Sequence, residues 1–449
     1  MKRSAEYDAD LREGWASSPL GDLVAMKYGK SLVQERRRSG TVPVYGSNGV
    51  VGRHDEALTD GPTIVVGRKG SVGEVHLSTG GCWPIDTTYF IDEFGPFECA
   101  YLTYTLKALR LGDLDQSTAI PGLSREQAYA AQLPIPPIPE QKRIVAKVEE
   151  LLGRVHAARA RLAKVPAILK RFRQAILAAA CSGQLTGDWR GDEGSNGDDV
   201  PDGWVDTTVE GACQIIADCP HSTPKWTNEG VICLRTTNFS AGRLDLGKVR
   251  YVSEATYKER VNRVEPAAGD VLYSREGGIL GIACMMPNRL RACLGQRMML
   301  MRPGSGLLPA YLMHALNSPA TLANVRDLTG GTASPHLNVG DVKAFRLCLP
   351  PRDEQTEIVR RVEALFGLAD KIEARVRAAT ARVEKITQAI LAKAFRGELV
   401  PTEAELARQE GRDYEPASVL LERIKAQKRA APQGPLPSRA KRGMPKKRK

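Results

Sequence analysis

The sequence contains one stretch twice. Shifted by 214 residues, Ser117–Leu185 aligns with Gly331–Leu399 without a gap, and 22 of the 53 positions in Leu133–Leu185 are identical. Pro136-Pro137 answers Pro350-Pro351, Glu140-Gln141 answers Glu354-Gln355, and Gln174-Ala-Ile-Leu-Ala answers Gln388-Ala-Ile-Leu-Ala. A duplication of this length commits the chain to two like halves. Upstream of each copy lies a longer, diverged stretch with fainter echoes. Gly14-Trp15 answers Gly203-Trp204, Ala100-Tyr-Leu answers Ala310-Tyr-Leu, and Thr118-Ala-x-Pro-x-Leu answers Thr332-Ala-x-Pro-x-Leu. Arg68-Lys-Gly-Ser-Val-Gly is similar to Arg275-Glu-Gly-Gly-Ile-Leu-Gly.

Each copy reads as one long helix. Ile144, Val148, Leu151, Val155, Ala158, Leu162, Val165, Leu169, Phe172 and Ile176 alternate spacings of four and three, and Ile358 through Ile390 repeat the pattern. That is a coiled-coil seam sustained for nearly five heptads in both copies. Proline-rich starts (Leu133–Pro139, Leu349–Asp353) and glycines at the far ends (Gly183, Gly397) punctuate both. About 44 residues at 1.5 Å each give a rod of about 66 Å. Pro166 stands where the second copy has Thr380, which predicts a kink or short break in the first helix only. Because both partners lie in one chain, in matching register, antiparallel pairing within the chain is expected over pairing between chains.

The diverged stretches read as mixed α/β. Thr63-Ile-Val-Val-Gly and Asp270-Val-Leu-Tyr-Ser have the composition of short buried strands, each opening into a glycine-rich turn. The expected division is a first domain at 1–139, a helix at 140–185 and a flexible acidic linker at 186–202. A second domain follows at 203–353 and a second helix at 354–397. The tail, 398–449, has a helix near Ala417–Lys428 and is basic and expected to be disordered from 425. The fold class is α+β: two globular mixed domains separated by an antiparallel pair of long helices, with an internal pseudo-two-fold repeat.

Charge directs attention to nucleic acid, but unevenly. The chain carries 64 Lys and Arg against 52 Asp and Glu, a formal +12. Residues 425–449 alone contribute +10, and the first helix +7, so the diverged domains are not strongly basic. Sequence reading would therefore rest on local loops. No apolar run approaches the ~18 residues of a membrane span, and MKRSAEYDADLREGW lacks the apolar core of a signal peptide, so a cytoplasmic location and no membrane partner are expected.

Catalytic signatures are missing. There is no phosphate loop of the G-x-x-x-x-G-K-[ST] type, no H-E-x-x-H and no G-x-S-x-G elbow. Six scattered histidines show no ligand spacing, and Cys213 with Cys219-Pro-His221 falls short of the four ligands of structural zinc. No catalytic residue, metal ligand or cofactor site is assigned. The glycine-rich turns have a different use, since Arg, Lys, Ser, Asn and Tyr can face phosphates and base edges. The candidates are Arg36, Arg37 and Arg38 as a basic run; Tyr45, Ser47 and Asn48; Arg68, Lys69 and Ser71; Arg235, Thr236 and Asn238; and Tyr273, Ser274 and Arg275. Their recurrence in both halves is what makes them a set.

Two diverged domains, each followed by a closely similar long helix, resemble the specificity (S) subunit of Type I restriction-modification enzymes. The resemblance is carried by Leu-Pro-Ile-Pro-Pro-Ile-Pro-Glu-Gln-x-x-Ile-Val at 133–145, Pro-Pro-x-x-Glu-Gln-x-x-Ile-Val at 350–359 and Gln-Ala-Ile-Leu-Ala-Lys-Ala-Phe-Arg-Gly-Glu-Leu at 388–399. Val44-Tyr-Gly-Ser-Asn-Gly and Val66-Gly-Arg-Lys-Gly-Ser-x-Gly are similar to recognition-domain loops of that family. The first helix departs from the pattern at Pro166 and at Ala180-Cys181-Ser182, where the second has Ala394-Phe395-Arg396.

The resemblance implies that each domain reads half of a split duplex-DNA target, while the helices set the spacing and dock two methyltransferase (M) subunits. S-adenosylmethionine would belong to the M subunits. ATP and Mg2+ would belong to restriction (R) subunits, if the system has them, and this chain would hold no cofactor. The rival reading, a coiled-coil DNA-binding regulator or architectural protein, explains charge and helices but not the duplicated Pro-Pro-x-x-Glu-Gln starts.

Overall fold

The computed structural model describes residues 11–114, 122–191, 200–276, 279–329 and 335–430. Both copies of the repeat form 44-residue helices, Ile138–Cys181 and Arg352–Phe395. The first continues through Pro166 without the break that proline predicts. Pro166 is exposed, so the carbonyl it orphans can be hydrated, and Leu169 just beyond is buried. Packing of this kind offsets the ~3 kcal/mol propensity cost. Gly183 and Gly397 close the helices in the left-handed region, at φ +78° and +69°.

The chain divides into two compact units, residues 1–161 with 379–449 and residues 162–378. In the first, a four-stranded antiparallel sheet runs in the order Lys27–Tyr28, Thr88–Ile91, Thr63–Gly67, Val75–Ser78. A second sheet joins Gly49–His54, Val42–Gly46 and Trp83–Pro84, the last pair parallel. Ala16–Pro19 pairs with Gln132–Ile135, immediately before the long helix. The core unites Ile64, Val66 and Ile91 of the sheet with Tyr101, Leu102 and Leu106 of helix Cys99–Leu109. Ile144 and Val148 of the first long helix and Ile390, Leu391 and Phe395 of the second belong to the same core.

The second unit repeats this plan from unlike residues. Its antiparallel sheet is ordered Cys213–Asp218, Met298–Pro303, Val271–Ser274, Ala283–Met285. Its second sheet contains Arg250–Val252, Val231–Leu234 and Ala292–Leu294, again with the last pair parallel. Val205–Thr208 pairs with Arg346–Leu349 before the second long helix. Within this unit Ile176, Leu177 and Ala180 of the first helix share a core with Ile358 and Val362 of the second. In each unit, then, the start of one long helix packs against the end of the other, which is the antiparallel pairing expected from the register.

The Glu-Gln pairs that begin the helices explain why they repeat. Gln141 Oε1 accepts the Glu98 backbone N–H at 2.8 Å, and its amide donates to the carbonyls of Pro96 and Pro136, both at 3.0 Å. Gln355 does the same with Leu308 N–H at 2.7 Å and the carbonyls of Gly306 and Pro350 at 2.9 Å. Glu140 and Glu354 are fully buried and take the indole N–H groups of Trp15 and Trp204. The remaining acceptor capacity is filled by whatever follows the other helix. Glu140 accepts the Glu403 backbone N–H at 2.8 Å, whereas Glu354 accepts the Thr186 hydroxyl at 2.7 Å and pairs with the buried Arg190 guanidinium.

Two expectations are corrected by these contacts. The linker is not flexible from 186: Gln184–Thr186 and Gly187–Arg190 are helical turns held on Glu354, while 192–199 lie outside the described residues. The tail is not separate from the first domain. Helix Glu403–Glu410 and helix Ala417–Ala430 place Ala404, Ala407, Ala417 and Leu421 in buried positions; the second is the helix expected near Ala417–Lys428, and it carries order past 425, where disorder was expected to begin. The rest of the basic tail, and the Thr118 and Thr332 echo, lie outside the described residues.

Candidate nucleic-acid interface

In the first unit, two of the glycine-rich turns meet. The hairpin of strands Val42–Gly46 and Gly49–His54 turns at Ser47-Asn48, and strand Thr63–Gly67 runs into the turn Arg68–Gly73. Ser47 Oγ accepts the Ser71 backbone N–H at 3.4 Å, and the His76 ring lies 3.4 Å from the Ser47 carbonyl. A Cβ on Gly67 would stand 2.0 Å from the Ser71 carbonyl oxygen and 3.1 Å from that of Ser47, so only glycine allows the approach. Asn48 and Lys69 are exposed at this junction, Ser47 and Ser71 half-buried, and Tyr45 buried beneath them. Among the described residues the Lys69 ammonium has no ion-pair partner.

Arg68 is half-buried, with Nη2 donating to the Asp86 carbonyl at 2.6 Å and its guanidinium over the rings of Tyr28 and Tyr89. The basic run divides three ways. Arg36 is exposed, Arg37 donates to the carbonyl of Val51 at 2.8 Å, and Arg38 pairs with Asp55 at 2.7 Å and Glu56 at 3.2 Å. The Arg38 guanidinium holds the Asp55 carboxyl below the usual carboxylate range. Only Arg36 keeps the open cationic character that the run suggested.

The second unit keeps the frame but not the chemistry. Arg275 carbonyl accepts Leu337 N–H at 2.8 Å just as Arg68 carbonyl accepts Leu123 N–H at 2.9 Å. Glu276 and His336 form the isolated bridge that Lys69 and Gly122 form in the first unit. Tyr273 and Ser274 are fully buried, and Arg275 is 4% exposed. The Arg275 fork grips Asp218 at 2.8 and 2.9 Å, with further bonds to the Leu337 carbonyl at 3.1 Å and Glu276 at 2.8 Å. Asn238, 2% exposed, accepts the Arg235 N–H at 3.0 Å and donates to the Asp245 carbonyl at 3.0 Å. Arg235 in turn donates to the Lys248 carbonyl at 3.0 Å, with Thr236 half-buried beside it.

Tyr45, Asn238, Tyr273, Ser274 and Arg275 are thus buried in this structure, with Asn238 and Arg275 bonded inside the domain. Strand Val271–Ser274 is covered on both faces, so Tyr273 and Ser274 are both buried, while Asn238 sits in the turn Thr236–Asn238 and Arg275 follows the strand onto Asp218. Further polar groups, not singled out as readers in the sequence, lie beside Arg275. His221 bonds to Asp218 at 3.0 Å, Gln296 reaches the His221 carbonyl at 2.9 Å and Thr223 at 2.8 Å, and Arg297 sits exposed at φ +70°. The one sequence signal there was Cys219-Pro-His221, a metal pattern too short to stand. Among the described residues no three His, Cys, Asp or Glu side chains are grouped to hold a metal ion, and no helix is long and apolar enough to cross a membrane.

Residues 12–166 and 201–379 match the family described as the Type I restriction modification DNA specificity domain. The chain belongs to this family. Among its relatives, the EcoKI specificity subunit of Escherichia coli (strain K12) is 34% identical over 360 residues, covering 78% of this chain and 75% of that protein. The EcoBI specificity subunit of Escherichia coli is 33% identical over 342 residues, covering 72% and 70%. The StySPI specificity subunit of Salmonella potsdam is 28% identical over 480 residues, covering 96% and 99%. Among solved structures, a chain from work on complex assembly and conformational transition of the type I R-M system aligns with TM-score 0.63 at 20% identity, covering 87% of this chain and 99% of that one. The HsdS subunit from Thermoanaerobacter tengcongensis aligns with TM-score 0.51 at 21% identity, covering 87% and 98%. These structures share the fold of two mixed domains joined by long helices. The two family matches span both diverged domains and most of both helices, the parts the duplication had set apart.

Proposed function

We propose that this chain is the DNA-recognition subunit of a Type I restriction-modification complex, each diverged domain reading one half of a bipartite duplex target. The observation that carries this reading is the repeated frame with unlike contents. Sheet order, helix starts and turn hydrogen bonds recur, while the exposed groups on the turns are Asn48 and Lys69 in one unit and His221 and Arg297 in the other. A scaffold kept twice around different turns suits two readers of different half-sites.

The chain itself would be non-catalytic and would act in the cytoplasm. The long helices would set the spacing of the readers and dock two M subunits, which bind S-adenosylmethionine and methylate adenine. R subunits, where present, would add ATP- and Mg2+-dependent steps. Two linked readers gain affinity because binding one half-site raises the effective concentration of the other. Co-expression with the neighbouring methyltransferase gene, followed by sequencing for modified adenines, is expected to show a split motif. An absence of modification, or a single uninterrupted motif, would overturn the reading. The regulator alternative accounts for none of the duplicated helix starts.

A further inference from the structure

We infer that Tyr28, Arg68 and Arg125 form a phosphate clamp beside the first domain's reading turns, with the Tyr28 ring as its platform. The inference rests on the DNA-reading function proposed above and adds two residues, Tyr28 and Arg125, that neither motif nor charge run had marked. Tyr28 ends the edge strand Lys27–Tyr28, opposite Tyr89, and is 53% exposed. The Arg68 Cζ lies 5.4 Å from the Tyr28 ring centroid and the Arg125 Cζ 5.2 Å from it. Tyr89 and Tyr129 extend the platform, 5.9 Å from Arg68 and 5.8 Å from Arg125.

Backbone contacts hold the two arginines together. The Arg68 carbonyl accepts the Leu123 N–H at 2.9 Å, and Ser124 caps the short helix that Arg125 opens. Both guanidiniums stand over the Tyr28 ring. Elsewhere in this unit arginines meet carboxylates, as Arg38 does Asp55, Arg143 does Glu403 and Arg408 does Glu13. Among the described residues neither Arg68 nor Arg125 has an ion-pair partner. Aromatic faces attract cations and orient them, but leave the net charge in place.

Internal bonds leave part of the Arg68 guanidinium unused. The Arg68 Nε is buried and has no hydrogen-bond partner, while Nη2 is bound to the Asp86 carbonyl. Two guanidiniums held over one ring, with no ion-pair partner among the described residues, match a phosphodiester, which accepts several hydrogen bonds and carries the compensating charge. A guanidinium held flat on a ring suits phosphate contact, and the clamp is assigned to positioning the duplex rather than to reading a base.

The test uses the full chain assembled with its methyltransferase subunits, on a duplex carrying the modified motif and on an unrelated duplex. Arg125→Gln should weaken binding to both by the same factor, about three- to tenfold. It should also lower the slope of log affinity against log salt by about 0.9, the value for one lost phosphate contact. Tyr28→Leu should behave like Arg125→Gln, whereas Tyr28→Phe, which keeps the platform, should match the parent. The modified motif and the thermal midpoint should be unchanged in all three. An unaltered salt slope in Arg125→Gln, or a changed motif in Tyr28→Leu, would overturn the clamp. A parent complex that shows no sequence preference would instead overturn the proposed function, and the Arg125→Gln salt slope would still decide the clamp.

Discussion

Trp15 donates its indole N–H to the buried Glu140 carboxylate at 2.8 Å, tying the start of the first domain to the helix that ends it, 125 residues on. Trp204 and Glu354 repeat the bond at 2.9 Å. The two clamps differ in what completes them, and that difference predicts unequal mutational costs. Glu140→Gln substitutes one amide donor for an acceptor, facing either the Trp15 or the Glu403 N–H, which costs about 1–3 kcal/mol. Glu354→Gln also strips the Arg190 guanidinium, 9% exposed, of its counterion. Breaking a buried pair from one side costs about 3–5 kcal/mol. Denaturant unfolding of the full chain should rank Glu354→Gln well below Glu140→Gln, and equal losses would contradict the assignment.

The pH dependence of the first clamp follows from two neighbouring carboxyls shifted in opposite directions. Burial raises Glu140 above the usual carboxylate value, against hydrogen bonds from Glu403 and Trp15 that lower it. Burial would raise Glu403 too, but Arg143 and Arg412 hold it below the usual value. A raised folded pKa means the native state binds the extra proton, so Glu140's contribution is complete below the unfolded value of about 4.3 and is lost as pH climbs through its folded value. For Glu403 the contribution is present above the unfolded value and is lost as pH falls through the folded one. Chemical unfolding across the acid range should therefore show Glu140→Gln flattening the decline on the rising-pH side. Glu403→Gln should flatten the loss on the falling-pH side.

How far the sequence revealed this protein depended on whether the signal was periodic. Ile144, Val148, Ile358 and Val362 were legible as core because a four-three spacing can satisfy only a helix with one buried stripe. The Glu-Gln pairs were legible as repeated but not as buried clamps, since Trp15 and Glu403 approach Glu140 from 125 and 263 residues away. Thr186–Arg190 read as linker because Gly and Asp dominate 186–202, but contacts of Thr186 and Arg190 with Glu354, and of Asp188 with Arg361, order it as helical turns. The candidates chosen by recurrence divide by exposure: Asn48 and Lys69 are exposed, whereas Tyr273, Ser274 and Arg275 are buried. Recurrence marks the frame, and in Arg275 the frame has turned a guanidinium inward that Arg68 leaves at the surface.

That contrast separates a support from a reader by experiment. Arg275→Ala leaves the Asp218 carboxylate, 13% exposed, without its bidentate partner, a loss on the order of 3 kcal/mol or more. Its thermal midpoint should fall by several degrees, and whatever folds should recognise the same sequence. Lys69→Ala removes an exposed ammonium, so its midpoint should stay within experimental error. Its DNA affinity should drop, and more steeply at low salt. Calorimetry alongside titration with target duplex distinguishes the two patterns, and a destabilised Lys69→Ala would remove that residue from the interface.

The basic tail offers the last test, and the structure fixes where to cut. Ala417 donates its N–H to the Gly14 carbonyl at 2.9 Å, and Ala417 and Leu421 are 1% and 6% exposed. A chain ending at Pro401 would lose these contacts and the Glu403 cap on Glu140, so it should be less stable by several kcal/mol, on the scale of a few buried side chains and a buried hydrogen bond. A chain ending at Ala430 keeps them and loses seven Lys and Arg with no acid, bringing the formal charge from +12 to +5. Its unfolding midpoint and its modified motif should match the full chain. Its affinity for unrelated DNA should fall, with a salt slope reduced by about 0.9 for each phosphate the tail neutralised. A changed motif in the 1–430 chain would show that the tail reads sequence, whereas an unchanged salt slope would show that its charge never meets the duplex.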